Sequence, residues 1–251
     1  MKKTVVILIL IISSTWLYAQ DLTFYGFIPS YSQTGLISKK IDYNFFASVT
    51  NSAFPMKYGN VEYPAKLLQT YIQPSIIYKF RPNLNFAASI TYNYQRSNPV
   101  AAYFNEWRPW EQVVFSHALF KGKGRLSHRV RFEERFIKNI NDVYRLTTRL
   151  RYQIGYMLPL QGRTLDAKEF YFNTYYEIYF SLSNPKARPR NALHSEDWIY
   201  AGIGYNTGNM GRIEIGPLYQ SNVRDPKKER RNLALLQVLW VTNFNFSQKK
   251  N

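Results

Sequence analysis

From residue 83 to residue 94, apolar and polar positions alternate with a period of two. Leu84, Phe86, Ala88, Ile90, Tyr92 and Tyr94 fall on one side; Asn83, Asn85, Ala87, Ser89, Thr91 and Asn93 fall on the other. A strand turns successive side chains to opposite faces, so this pattern predicts a half-buried β-strand. Residues 41–51 repeat it, with Ile41, Tyr43, Phe45, Ala47 and Val49 against Asp42, Asn44, Phe46, Ser48 and Thr50. Residues 145–153 carry Arg145, Thr147, Arg149, Arg151 and Gln153 on one face, and a mainly apolar set on the other. Comparable segments lie near 67–80, 110–120, 125–137, 168–182, 196–207, 211–222 and 232–246. Helical periodicity is largely missing. Soluble strands average about five or six residues, whereas a tilted membrane-spanning strand needs about nine to eleven. The lengths here favour a closed antiparallel transmembrane β-barrel of the outer-membrane type over a soluble lipocalin-like or sandwich fold.

The connections support that reading. Tight turns are expected at Arg81-Pro82, at residues 121–124 and at residues 208–211, with longer links at 52–66, 96–109, 183–195 and 223–231. Short turns at one mouth and long loops at the other is the outer-membrane rhythm. Counting from Ile41 gives ten strands. Residues 22–33 also look strand-like, and counted alone they would make an odd total, unusual for a bacterial barrel. The segment therefore lies in the lumen or periplasm, or joins a twelve-stranded barrel, and the expected count is 10 or 12.

Charge decides which face points inward. Arg129, Arg131, Glu133 and Arg135 share one face of their segment, and Arg145, Arg149 and Arg151 share one face of the next. Glu177 sits among Tyr171, Asn173, Tyr175 and Tyr179, and Glu214 shares parity with Arg212. An arginine facing lipid at the bilayer midplane costs about 2–4 kcal/mol, so this face is assigned to the lumen. Two roles fit such a wall. It can be a structural Arg–Glu network filling a narrow barrel, or a constriction that prefers anions.

The first residues place the chain. Lys2 and Lys3 precede an apolar run to Ile12, and Ala19 is a small residue suited to a cleavage site. Residues 1–19 read as a Sec signal peptide, leaving residues 20–251 as a single barrel domain exported to the outer membrane of a bacterial envelope. The 251 residues include no cysteine, which removes disulfides and thiolate chemistry. Lys and Arg number 33 against 16 Asp and Glu. A basic chain suggests nucleic acid, but the export signal and the spread of charge over many strands argue against that partner. Basic loop residues Lys186, Arg188, Arg190, Arg224, Lys227, Lys228, Arg230 and Arg231 suit solvent or lipopolysaccharide phosphates. Aromatics make up 17% of the chain, and Trp107, Trp110, Trp198, Trp240, Phe244 and Phe246 suit interfacial girdles. The aromatic final strand resembles the signal read by the barrel assembly machinery.

Catalytic signatures are thin. Ser116-His117 and Ser127-His128 are sequence neighbours, so on strands they point apart. His194-Ser195 beside Glu196 and Asp197 is a sterically possible set. No G-x-S-x-G, P-loop or H-E-x-x-H motif occurs. No catalytic residue, cofactor or metal is assigned. The favoured function is a non-enzymatic barrel, structural or a narrow anion-preferring pore. The alternative is a small barrel enzyme acting on lipid or envelope substrates.

Three stretches carry a family resemblance: WRPWEQ at 107–112, HRVRFEERF at 128–136 and YRLTTRLRYQ at 144–153. Together they resemble the uncharacterised outer-membrane family called domain of unknown function 2490, over residues 20–246. The resemblance implies a Sec-exported barrel and, since the family has no assigned activity, adds no catalytic residue.

Overall fold

The computed structural model describes residues 22–58, 61–96, 103–119, 122–138, 143–183, 193–223 and 230–243. The proposed signal peptide, Phe244, Phe246 and the loop cations Lys186, Arg188, Arg190, Arg224, Lys227 and Lys228 lie outside them. The chain forms β1 (Leu22–Ser38), β2 (Ile41–Ser52), β3 (Met56–Tyr58), β4 (Val61–Tyr63), β5 (Leu67–Arg81), β6 (Leu84–Arg96) and β7 (Tyr103–Ala118). It continues with β8 (Arg125–Lys138), β9 (Tyr144–Pro159), β10 (Glu169–Ser181), β11 (His194–Gly208), β12 (Gly211–Val223) and β13 (Arg230–Thr242). No helix is found among the described residues.

Eleven strands close into one barrel in the order β1-β13-β12-β11-β10-β9-β8-β7-β6-β5-β2, with β3 and β4 forming a separate hairpin. This corrects the expected count of 10 or 12. The ten strands from Ile41 onward are present, and β1 joins the wall as an eleventh rather than lying in the lumen or periplasm. An odd ring cannot alternate direction throughout, so it contains a parallel seam. β1 runs parallel to β13, from Leu22↔Arg231 to Gln33↔Thr242, and the remaining barrel pairings are antiparallel. The barrel is therefore mixed, not purely antiparallel. Leu22 lies at the mouth of the long connections, and Thr242 at the opposite mouth.

β7 starts earlier than its alternation suggests, which shortens the expected link at 96–109. The paired register of β7 with β8 skips from Trp107↔Phe136 to Trp110↔Glu133 around Pro109, which has no N–H to give the ladder. At the short-turn mouth, Gly208 and Gly211 adopt φ of 83° and 84°, a region that costs little only for glycine. Residues 160–168 make a longer link on the same side and break the rhythm.

The barrel is inside out relative to a soluble one. Outward side chains such as Ile72, Ile76, Ile90, Val130, Ile199, Ile203, Ile215, Leu236 and Val238 are exposed. Inward ones such as Thr50, Gln73, Asn93, Glu106, Arg131, Glu133 and Gln220 are buried. Glu111 and Glu134 interrupt the apolar exterior. Outward aromatics gather near both mouths. Tyr92 packs on Trp107 and Tyr94 on Tyr103 toward the long connections; Tyr31 packs on Trp240 and Phe80 on Phe86 toward the short turns. Trp110 and Trp198 depart from the expected girdles and face the lumen, where Trp110 is 2% exposed.

Candidate functional site in the lumen

Four adjacent strands, β7 to β10, build a charged wall from inward residues of constant parity. Register brings the charges level: Arg131 is opposite Arg151, Glu133 opposite Arg149, and Tyr179 opposite Arg151 on the far side of β9. Two like charges in register repel, so each must find a counter-charge.

Glu133, fully buried, supplies most of it. Its Oε1 accepts from Arg151 Nη1 at 2.7 Å, its Oε2 accepts from Arg149 Nε, and Arg108 and Arg131 approach at 3.9 and 3.8 Å. Glu177 accepts from Arg151 through both oxygens at 2.8 and 2.9 Å, and from Arg129 Nη2 at 2.7 Å. Glu106 accepts from Arg108 at 2.8 Å and from Arg135 at 2.6 and 2.9 Å. Arg149 Nη1 also donates to Glu196 on β11 at 3.3 Å. The connected network thus holds six guanidiniums against four carboxylates.

Aromatic rings and amides receive the remaining cationic surface. Arg131 lies 3.8 Å from the centroid of the Trp110 ring, and Arg149 and Arg151 lie 4.7 and 4.4 Å from that of Tyr179. Such stacking suits a planar, weakly hydrated guanidinium. Arg131 is held mainly by neutral groups: Nε and Nη2 donate to Gln112 Oε1 at 2.9 and 2.7 Å, and Nη1 to Gln73 Oε1 at 3.1 Å. It is 4% exposed. Trp110 is itself fixed by donation from its Nε1 to Thr91 at 2.9 Å.

Arg129, Arg131, Glu133, Arg135, Arg149, Arg151 and Glu177 all belong to this network. Arg145 does not; it is exposed at the start of β9. Arg212 and Glu214 sit apart, closer to the short turns, where Asn173 Nδ2 donates to both Glu214 oxygens at 3.1 Å and Arg212 lies over the Tyr171 ring. Tyr171 in turn lies over Gly204, where a Cβ would collide with its ring. Sequence reasoning missed Glu106, Arg108, Trp110 and Glu196. The first three share parity within the 103–118 strand, but Pro109 and the late strand start hid that face. Arg231, read as a loop cation, is on β13, lines the lumen and lies over Phe24 at 5.3 Å.

The serine–histidine pairs separate across the wall. Ser116 Oγ accepts from Arg125, Ser127 Oγ donates to the Gly155 carbonyl, and His117 and His128 stack together on the outside. His194 Nε2 lies 2.8 Å from Asp197, while Ser195 Oγ donates to the Tyr179 carbonyl at 3.2 Å.

The lumen contains a cavity of about 710 Å³, lined by the arginine wall on one side and by Ile28, Leu68, Leu218, Leu233 and Leu239 among others. Ile28, Leu218, Leu233 and Leu239 come from β1, β12 and β13 and Leu68 from β5, while Phe46, Phe104 and Ile137 add apolar lining from β2, β7 and β8. Leu22, Phe24, Leu218, Leu233 and Leu235 form a buried core, and Tyr63 of the β3–β4 hairpin packs edge-on against Phe24 at 5.6 Å.

Fold and site together define a closed β-barrel with an arginine-rich ionic network along its inner wall. The chain belongs to the family described as Protein of unknown function (DUF2490), whose model matches residues 35–231, a narrower span than 20–246. No curated protein matches the chain.

Proposed function

We propose that the chain is an outer-membrane β-barrel whose lumen prefers anions. The observation that carries this reading is the inverted polarity: among the described residues, an apolar exterior encloses a lumen network of six guanidiniums and four carboxylates. Exposed apolar area of this extent on a monomer marks contact with lipid or another protein. Its continuity around a ring of long strands, with aromatics near both mouths, favours lipid. Two cationic charges beyond the networked carboxylates favour anions inside.

In this reading residues 1–19 direct Sec export and are removed. The assembly machinery inserts the barrel, and the basic long loops meet lipopolysaccharide at the cell surface. The ionic network also braces the wall, so it serves stability and selectivity together.

The test is a reversal potential under a potassium chloride gradient, measured on the mature barrel in a planar bilayer. The expected sign is that of chloride preference, reduced in Arg131→Gln. Cation preference, or a soluble periplasmic protein without heat-modifiable gel migration, would contradict the proposal.

A further inference from the structure

A hydrated pore is expected to be polar all round its inner wall. This one is not. β8 lies six strands from β1 going through β13 and five going through β2, so the arginine wall and the seam are diametrically opposed. Across the cavity from Arg129, Arg131, Arg149 and Arg151 stand Ile28, Leu218, Leu233 and Leu239. On β13 the inward apolar side chains Leu233, Leu235 and Leu239 follow one another with Gln237 between the last two; Leu233 pairs in register with Gln220, and Leu239 with Glu214, farther toward the short turns. Leu218 is 1% exposed and Leu233 5%, so these leucines are packed, not solvated.

Water filling the cavity would meet charged partners along the arginine wall and, on the opposite side, apolar side chains interrupted by Ser30, Gln220 and Gln237. Small-molecule sites typically span about 300–1,000 Å³ and combine an apolar surface with a few convergent polar groups. The cavity has that size and a mixed lining in which a cluster of leucines and Ile28 faces the arginines. Arg131 offers a buried guanidinium whose hydrogen-bond partners are neutral amides, and the Nε of Arg129 is buried without a partner. An anionic head group would improve the environment of both, while the opposing apolar side chains would accept a hydrocarbon chain.

We infer that the lumen binds a single-chain amphiphile with an anionic head group, either carboxylate or phosphate. The head group lies against Arg131 and Arg129, and the chain lies along Ile28, Leu233 and Leu239. This inference rests on the anion preference proposed above and adds the requirement for an acyl chain. Because the walls face each other across the cavity, the two halves of the ligand are read by different strands.

Equilibrium dialysis tests it, using the mature barrel held in amphipol so that bulk lipid does not compete. The probes are laurate, dodecyl phosphate, dodecylamine and acetate. Laurate or dodecyl phosphate is expected to bind saturably, about a hundredfold more tightly than acetate or dodecylamine. Which of the two binds more tightly identifies the head group. Leu233→Asn is expected to weaken laurate binding about tenfold or more. Should that variant fail to fold, quenching by 11-bromoundecanoate of the two lumen tryptophans, Trp110 and Trp198, provides a second measurement, read in a mature chain carrying Trp107→Phe and Trp240→Phe; saturable quenching is expected, and its absence would overturn the inference. Equal binding of acetate and laurate would overturn the inference while leaving the anion preference standing. Equal binding of dodecylamine would overturn it through the head group, and no binding by any probe would overturn it outright. The reversal potential decides the underlying anion preference independently of all these arms.

Discussion

The two sides of the lumen are stabilised by opposite means. On β7 to β10 the inner wall is charged, and each acid serves two or more arginines: Glu133 alone receives hydrogen bonds from Arg149 and Arg151 and lies near Arg108 and Arg131. On β1, β12 and β13 the inner wall holds a buried apolar cluster, Leu22, Phe24, Ile28, Leu218, Leu233 and Leu235, with Ser30, Gln220 and Gln237 beside it, and Tyr63 of the hairpin belongs to that cluster. A buried ionic wall fails abruptly when one shared partner is removed, because several charges are stranded together. An apolar wall fails in proportion to the volume deleted. The same barrel therefore contains one brittle side and one graded side.

Substitutions that test this contrast differ in expected size. The largest effect is expected for Glu133→Gln, about 3–5 kcal/mol of lost stability, since a neutral amide leaves buried guanidiniums without their counter-charge. Thermal melting of the barrel in micelles reads this directly, and a loss below about 1 kcal/mol would show that water or ions already screen the wall. Leu218→Ala, on the apolar side, is expected to cost about 2–3 kcal/mol, toward the low end for a buried leucine because the site already borders a cavity. Trp110→Phe is expected to cost about 1–2 kcal/mol, from the lost hydrogen bond to Thr91 and a weaker face for Arg131. Double-mutant cycles separate these contributions: Glu133→Gln with Arg149→Gln should couple strongly, whereas Glu133→Gln with Leu218→Ala should add. The smallest effect has the opposite sign. Glu111→Leu removes an outward carboxylate from the apolar exterior and is expected to raise stability in a bilayer by about 1 kcal/mol. A neutral or destabilising result in lipid would argue that this part of the exterior meets water.

The two sides also differed in legibility. The arginine wall announces itself because charge and parity coincide: Arg129, Arg131, Glu133 and Arg135 mark one face of β8, and Val130 and Phe132 the other. The seam carries no such contrast. On β13, Leu233 and Leu235 point inward while Leu236 and Val238 point outward, so both faces are apolar and a period of two is invisible. On β1, Leu22, Phe24 and Ile28 point inward while Tyr25 and Phe27 point outward, with the same result. A strand apolar on both sides gives no sign of which neighbour it pairs with, so the parallel closure could not be read from spacing. The partners Glu106 and Glu196 were hidden for a different reason: only the register across β7–β8 brings Glu106 to Arg135, and only that across β9–β10–β11 brings Glu196 to Arg149.

The most direct test of the inverted polarity uses the natural absence of cysteine. Single cysteines at Ser127 and Val130 stand on the same strand but on opposite faces, Ser127 lining the cavity and Val130 exposed on the exterior. With the barrel reconstituted in lipid vesicles, a small water-soluble thiol reagent is expected to modify Ser127→Cys. Val130→Cys should resist that reagent and react with a lipid-soluble one. Modification of Val130→Cys from water, with Ser127→Cys protected, would place the arginine set of β8 in lipid and contradict the account.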